Sequence, residues 1–167
     1  SGADIACDCG PVAARTLLSA RRPVHVIPRH ILGRPTDKWA TPLTSRLPLA
    51  VQRAVYGLLL WLERGRQSRW GAPEPASPLL AEHPTLSSQL LPLVRDGRIE
   101  IVPGVAELAG GRVRFTDGRE EAVDAIVYAT GYRIAFPFLD EPPGGEDNRV
   151  ELYLRVVPPD RPGLYFL

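Results

Sequence analysis

The sequence predicts an α/β fold from two observations. A helical start at Ser1 to Asp4 leads to a strand candidate, Thr16 to Ser19. Further on, the run Ala125 to Tyr128 has the length and β-branched content of a buried strand, and it stops abruptly at Ala129-Thr-Gly131. Because glycine carries no Cβ, such an ending lets a ligand approach the backbone closely. In open α/β sheets this crevice binds nucleotides, although a buried strand with an ordinary turn explains the same residues.

Composition limits the classes of function. The 167 residues suit one domain, or one domain with part of another. The formal net charge of +1 does not favour nucleic acid or an acidic membrane surface as a partner. Cys7 and Cys9 are a poor metal site because no further Cys or His is near, so we predict two reduced cysteines, no bound metal and a cytoplasmic protein. The chain has no Met and both ends fall inside predicted elements, so we expect a fragment.

Helices and strands alternate over the first part of the chain. We predict a short helix over Ala3 to Ala14, which Gly10-Pro11 weakens or ends. The strand Thr16 to Ser19 follows, and Val24 to Ile27 continues in an extended conformation. Pro48 to Glu63 is predicted as a helix with proline in its opening turn.

The Pro48 to Glu63 helix is apolar nearly all round. It is too short for a membrane span, which needs about 20 such residues. A helix lying on lipid headgroups would have a strongly polar face, which Gln52, Arg53 and Glu63 do not make. We therefore predict a helix covered by the core or by a partner, with membrane contact as the alternative.

The second part of the chain adds a helix, a strand and a hairpin. We predict a helix over Thr85 to Arg95 and a strand over Ile99 to Val102. Asp117-Gly118, a dipeptide typical of type I′ turns, stands between the strand candidates Arg112 to Phe115 and Glu121 to Tyr128. These three segments predict a β-hairpin.

Two arginines follow the first strand candidate, about 20 residues after the helical start. In a nucleotide-binding βαβ unit the helix N-terminus binds pyrophosphate. At the end of the second strand of that unit, an acid selects NAD and an arginine accommodates the 2′-phosphate of NADP. Arg21 and Arg22 stand there and no acid does. The alternative is that both are solvated charges leaving a strand, and the helix dipole alone explains Asp4 in a first helical turn.

Several segments occur in an order that is more specific than any one of them: Ser1-Gly-Ala-Asp-Ile-Ala6, Ser19-Ala-Arg-Arg22, Pro28 to Pro35, His83-Pro-Thr85, Val123 to Tyr132, Phe136-Pro-Phe-Leu139, Leu152-Tyr153 and Pro162-Gly-Leu-Tyr165. This order closely resembles the flavin-containing monooxygenases, the flavoprotein group that includes the Baeyer–Villiger enzymes. The match runs over nearly the whole chain. Its most specific part is Ala129 to Tyr132 followed by Phe136 to Leu139.

The resemblance implies a fold with two dinucleotide-binding domains, in which the FAD domain is split and the NADPH domain is inserted within it. Residues 1–128 are then a Rossmann-like NADPH-binding domain that lacks its first strand and its Gly-x-Gly. Residues 129–167 begin the return towards the FAD-binding domain. The missing partner is the N-terminal FAD-binding half of the same parent chain.

The resemblance also implies which residues contact the cofactors. Four residues would lie beside the NADP pyrophosphate: Ser1, Gly2, Ala3 and Asp4. Arg21, together with Arg22, would hold the 2′-phosphate, because planar bidentate pairing suits arginine. Three residues would mark the hinge near the cofactors: Ala129, Thr130 and Gly131. The chain departs from the family at Ser87, where many relatives carry Asn, and at Gly10-Pro11, which we expect to loosen the first helix.

The family uses NADPH, FAD and O2 to insert one oxygen atom into a small-molecule soft nucleophile such as an amine or a sulfide. The cofactor carries that chemistry, so the resemblance assigns no catalytic residue, and we interpret His25, His30 and His83 as structural. We expect the 167-residue chain alone to be inactive, with no flavin bound.

Three alternatives belong beside this assignment. A Baeyer–Villiger-type monooxygenase fits the same segments. A non-catalytic nucleotide-binding remnant is a different class of answer. A pyridine-nucleotide disulfide oxidoreductase shares the Ala-Thr-Gly ending, but it needs a C-x-x-C or similar redox pair, and Cys7-Asp-Cys9 has the wrong spacing.

Overall fold

Three helices and nine strands are described by the computed structural model, which covers residues 2–39, 41, 44, 46–139, 150–159 and 161–166. The helices are α1 (Gly2–Cys9), α2 (Leu49–Arg64) and α3 (Leu90–Arg95). The strands are β1 (Thr16–Ser19), β2 (Val26–Ile27), β3 (His30–Ile31), β4 (Arg34–Pro35), β5 (Thr85–Leu86), β6 (Ile99–Val102), β7 (Val105–Ala109), β8 (Arg112–Phe115) and β9 (Glu120–Ala122). Short 3₁₀ helices span Thr36–Trp39 and Gln67–Trp70. The chain divides into two units, Ser1–Tyr128 and Ala129–Leu167.

Two parallel strand pairs organise the first unit. β1 pairs with β6 so that Ser19 lies opposite Val102. β2 pairs with β5 so that Val26 lies opposite Thr85. Parallel pairing requires long crossover connections, which the chain makes through its helices. The predicted α/β class and the strands β1 and β6 are therefore confirmed.

The core of this unit lies between α1, α3 and the β1–β6 pair. α1 buries Ala3, Ala6 and Cys7, and these residues cluster with Leu90 and Ile99. The helix ends at Cys9, so the prediction that Gly10-Pro11 ends it is confirmed. Gly10 follows the helix, is buried and donates its N–H to the Ala6 carbonyl at 2.9 Å, while the expected loosening of the helix stays a prediction.

The predicted hairpin is confirmed by strands β8 and β9 of the antiparallel sheet β7-β8-β9, but its turn is not the predicted type I′ turn. The Gly118 N–H donates to the Phe115 carbonyl at 3.0 Å, and Gly118 has a φ of 88°. Asp117 is not among the described residues with positive φ, whereas a type I′ turn needs positive φ at both central residues. The loop is therefore a three-residue turn that closes on a left-handed glycine.

Two predicted segments are wrong, and both errors concern pairing. The strand predicted to reach Tyr128 ends at Ala122, while Ile126 and Tyr128 are 46% and 72% exposed. An isolated strand leaves its backbone groups unpaired, and none of the described strands pairs with Ala125 to Tyr128. The helix predicted from Thr85 begins only at Leu90, because Thr85–Leu86 pairs with β2 instead.

The predicted position of the second helix, α2, is confirmed, but the predicted burial of this helix in the core is not. Pro48 precedes it with a φ of −53°, and Leu60 is its one buried residue. Four exposed apolar side chains follow one another along one side of the helix and form the α2 face: Val51, Val55, Leu58 and Leu62. Cover by a partner therefore stays a prediction. None of the helices in the described part of the chain is long and apolar enough to cross a membrane.

Candidate functional site

The predicted site begins where α1 starts and β1 ends. α1 packs against β1, and only the short connection 10–15 joins them, so the helix runs back along the strand. The first turn of α1 therefore lies towards the carboxyl end of β1, the edge at which α/β sheets bind nucleotides. Gly2, Ala3 and Asp4 form that turn, whereas Ser1 lies outside the described residues. Ala3 is buried in the core, so its side chain packs inside the protein and does not face a ligand.

The loop after β1 is held by the loop after β6. The Ser19 hydroxyl donates to the Pro103 carbonyl at 2.8 Å. The Ala20 N–H donates to the Val102 carbonyl at 2.9 Å. Both bonds continue the parallel register of the two strands, so the backbone that leads into Arg21 has a defined position at the sheet edge.

The two predicted arginines differ in their surroundings. The Arg22 guanidinium lies 3.6 Å from the carboxylate of Glu82. Arg21 is exposed and, among the residues that the structure describes, forms no hydrogen bond or ion pair. Arg21 is thus a solvent-facing cation without a counter-ion in the described part of the chain, and a guanidinium of this kind can form bidentate hydrogen bonds with a phosphate.

Sequence reasoning missed one further cation near the first turn of α1. The Arg29 guanidinium lies 3.4 Å from Asp4 Oδ1. The Arg29 N–H donates to the Ser88 hydroxyl at 3.0 Å, which ties the end of β2 to the segment after β5. Because Arg29 follows the extended segment Val24 to Ile27, its place at the carboxyl end of that strand could have been inferred.

A groove of about 490 Å³ lies between α1 and α3. Its lining includes Cys7, Asp8, Gln89 and Pro92. Burial raises the pKa of the Cys7 thiol, and the Ser87 hydroxyl lies 3.8 Å from the sulfur. The raised pKa reduces the share of the reactive thiolate at neutral pH, which argues against a role of Cys7 as a nucleophile. Within the described residues no group of three His, Cys, Asp or Glu side chains could hold a metal ion.

The three predicted hinge residues lie in the second unit. Ala129, Thr130 and Gly131 are exposed, and Gly131 has a φ of 93° that a residue with a side chain rarely adopts. In the same unit, the Phe136 and Phe166 rings meet edge to face with their centroids 4.7 Å apart. The cofactor contact of the three hinge residues stays a prediction.

Comparison with known proteins gives one family. Residues 1–164 match the family model described as FMO-like, flavin-binding monooxygenase-like. The chain is 31% identical over 143 residues to the probable indole-3-pyruvate monooxygenase YUCCA9 of Arabidopsis thaliana, covering 82% of this chain and 34% of the relative. It is 31% identical over 174 residues to flavin-containing monooxygenase 5 of Homo sapiens, covering 98% and 32%.

A third relative is dimethylaniline monooxygenase (N-oxide-forming) 2 of Rattus norvegicus. It is 35% identical over 168 residues, covering 95% of this chain and 31% of the relative. The chain therefore spans about a third of the length of the relatives it matches.

Proposed function

The chain belongs to the flavin-binding monooxygenase-like family, and we propose that it is the NADPH-binding part of a monooxygenase that also uses FAD and O2. Residues 1–128 form the Rossmann-like domain in this proposal, and residues 129–167 belong to the return towards the FAD domain. The parallel β1–β6 pair, with α1 packed against it, supports a dinucleotide-binding arrangement.

The observation that carries the proposal is the unpaired cation at the end of β1. Arg21 has no counter-ion among the described residues, and a dianionic phosphate is the group that such an arginine binds best. The residues present therefore fit the 2′-phosphate of NADPH. The N–H groups of the first turn of α1 suit its pyrophosphate, with Arg29 as a second cation near them.

The chain's own residues bind and orient in this mechanism. The bound cofactors supply the hydride and the oxygen chemistry. Arg21 holds the 2′-phosphate, and Gly2, Ala3 and Asp4 present the helix N-terminus to the pyrophosphate. A cofactor would lie beside Ala129, Thr130 and Gly131, where Gly131 has no Cβ and lets it approach the backbone closely. No side chain of this chain is assigned a proton transfer.

The oxygen acceptor is proposed to be a small soft nucleophile, an amine or a sulfide. The name of the rat relative, which specifies dimethylaniline and N-oxide formation, supports the amine. The similarity to indole-3-pyruvate monooxygenases supports a second candidate, an oxoacid whose carbonyl is attacked as in Baeyer–Villiger chemistry. Product analysis of the full-length protein with dimethylaniline and with indole-3-pyruvate separates the two: NADPH-dependent consumption of dimethylaniline supports the amine, and that of indole-3-pyruvate supports the oxoacid.

Cofactor preference tests the nucleotide part of the proposal. Replacing Arg21→Ala in the full-length protein removes a charge-assisted contact, so we expect KM for NADPH to rise about 10- to 100-fold with little change for NADH. The matched control is Arg22→Ala, with a smaller effect because Arg22 already lies beside Glu82. Equal losses with both cofactors would show that Arg21 is structural and that the 2′-phosphate is bound elsewhere.

A further inference from the structure

A buried glycine, Gly104, lies against Arg21. A Cβ at Gly104 would lie 3.3 Å from Cγ and 3.5 Å from Cα of Arg21. Gly104 is not among the glycines with positive φ, so its backbone conformation does not require glycine. The space is tight, because a Cβ 3.3 Å from Arg21 Cγ would oblige that side chain to shift by a few tenths of an ångström.

Gly104 is fixed in place by its neighbours. Its carbonyl accepts the Thr116 N–H at 2.8 Å, which ties it to the end of β8. The preceding carbonyl, of Pro103, accepts the Ser19 hydroxyl at 2.8 Å. Because the backbone on both sides of the contact is hydrogen-bonded, an added side chain at position 104 must displace the flexible stem of Arg21 rather than the loop.

We propose that Gly104 is a positioning residue for Arg21, and that it thereby determines how well the protein distinguishes a ribose 2′-phosphate from a 2′-hydroxyl. The proposal rests on the proposed role of Arg21 as the 2′-phosphate ligand. A guanidinium binds phosphate best through two parallel hydrogen bonds, so a displaced stem misaligns both of them. Gly104 itself touches no cofactor atom in this proposal.

The test compares the binding of adenosine 2′,5′-bisphosphate and of 5′-AMP by calorimetry, since these two probes differ only in the 2′-phosphate. We expect Gly104→Ala to reduce the preference for the bisphosphate about 3-fold and Gly104→Leu to reduce it about 10-fold or more. These losses correspond to part or all of one charge-assisted contact. The affinity for 5′-AMP stays unchanged. Gly57→Ala is the matched control, because a Cβ at Gly57 meets no atom within 4 Å.

A double-mutant cycle separates positioning from a general structural effect. In the Arg21→Ala background, Gly104→Leu is expected to cause no further loss of preference. If Arg21→Ala removes the preference but Gly104→Ala and Gly104→Leu both keep it, the positioning role is overturned and the proposed function stands. If Arg21→Ala itself leaves the preference unchanged, the proposed role of Arg21 fails and the positioning role fails with it. Gly104→Ala adds only a methyl group, so it remains decisive should the leucine variant not fold.

Discussion

Arg119 and Glu100 form a two-point ion pair that joins the antiparallel sheet to β6. The Arg119 Nη2 donates to Glu100 Oε2 at 3.1 Å, while its Nη1 donates to the other carboxylate oxygen. Arg15 Nη2 donates to the same Glu100 Oε2 at 2.8 Å, and Glu121 accepts from both arginines. The hydrogen bonds from Arg119 and Arg15 lower the pKa of Glu100 from 4.5 to about 2. This network connects three segments that are distant in sequence.

We predict that Glu100 stabilises the fold in a pH-dependent manner. Because its pKa is lower in the folded state, the stabilisation is complete above pH 4.5 and is lost as the pH falls towards 2. Glu100→Gln is expected to reduce the free energy of unfolding at pH 7 by about 1 kcal/mol, since the carboxylate is partly exposed and solvent screens the pair. Urea unfolding at pH 7 and at pH 2.5 measures this, and the difference between the two proteins should be much smaller at the lower pH. A difference at pH 2.5 as large as that at pH 7 contradicts the prediction. Asp124→Asn is the control.

A second prediction concerns the close contact between α1 and β6. A Cβ at Gly10 would lie 3.0 Å from Ile99 Cγ1 and 3.2 Å from the Ala6 carbonyl oxygen. Gly10→Ala therefore overpacks the core and is expected to cost about 1–3 kcal/mol of unfolding free energy. Gly57→Ala, in the middle of α2 with no atom within 4 Å, should instead stabilise the protein by about 0.5–1 kcal/mol. Chemical unfolding of both variants checks the contrast, and a neutral Gly10→Ala would count against close packing at this point.

Local patterns predicted the elements whose stability depends on neighbours in sequence. The hairpin around Asp117-Gly118 and the helix after Pro48 are both confirmed because short-range turn and helix preferences decide them. The wrong predictions concern segments whose structure depends on strand pairing with residues far away in the sequence. Thr85–Leu86 forms a strand because Val26–Ile27 pairs with it across almost 60 residues, and tertiary pairing overrides a helical pattern. The apolar run Ala125 to Tyr128 has strand composition and lacks a paired neighbour among the described strands.

The same division applies to the candidate site: its residues could be predicted from local sequence, but its long-range contacts could not. Arg21 could be predicted as a site residue because it comes just after a strand candidate, and that position can be seen in the sequence. The difference between Arg21 and Arg22 depends on Glu82, about 60 residues away, which no local pattern indicates. The contact between Gly104 and Arg21 depends on the register that sets Ser19 opposite Val102, so it becomes visible only when the two strands are paired.

A third prediction concerns the two cysteines. Burial raises the pKa of Cys7, with the Asp4 and Asp8 carboxylates adding to the effect, whereas Cys9 is only partly buried. We expect a thiol reagent such as DTNB at pH 7 to modify Cys9 quickly and Cys7 only after unfolding, because the thiolate is the reactive form. A Cys9→Ser variant should then retain the slow phase alone. Two equally fast equivalents in the folded protein would be inconsistent with a buried Cys7.

The last prediction concerns the α2 face. Leu58 and Leu62 are 58% and 57% exposed, so replacing both with Gln should change the free energy of unfolding by less than about 0.5 kcal/mol each. Exposed apolar rows of this kind promote association, and we expect the double variant to be more soluble and less self-associated in sedimentation velocity. The matched control is Leu60→Ala on the opposite side of the helix, which should cost about 2–5 kcal/mol because Leu60 is buried. Unchanged association of the double variant, with Leu60→Ala destabilised, would show that the α2 face does not drive self-association.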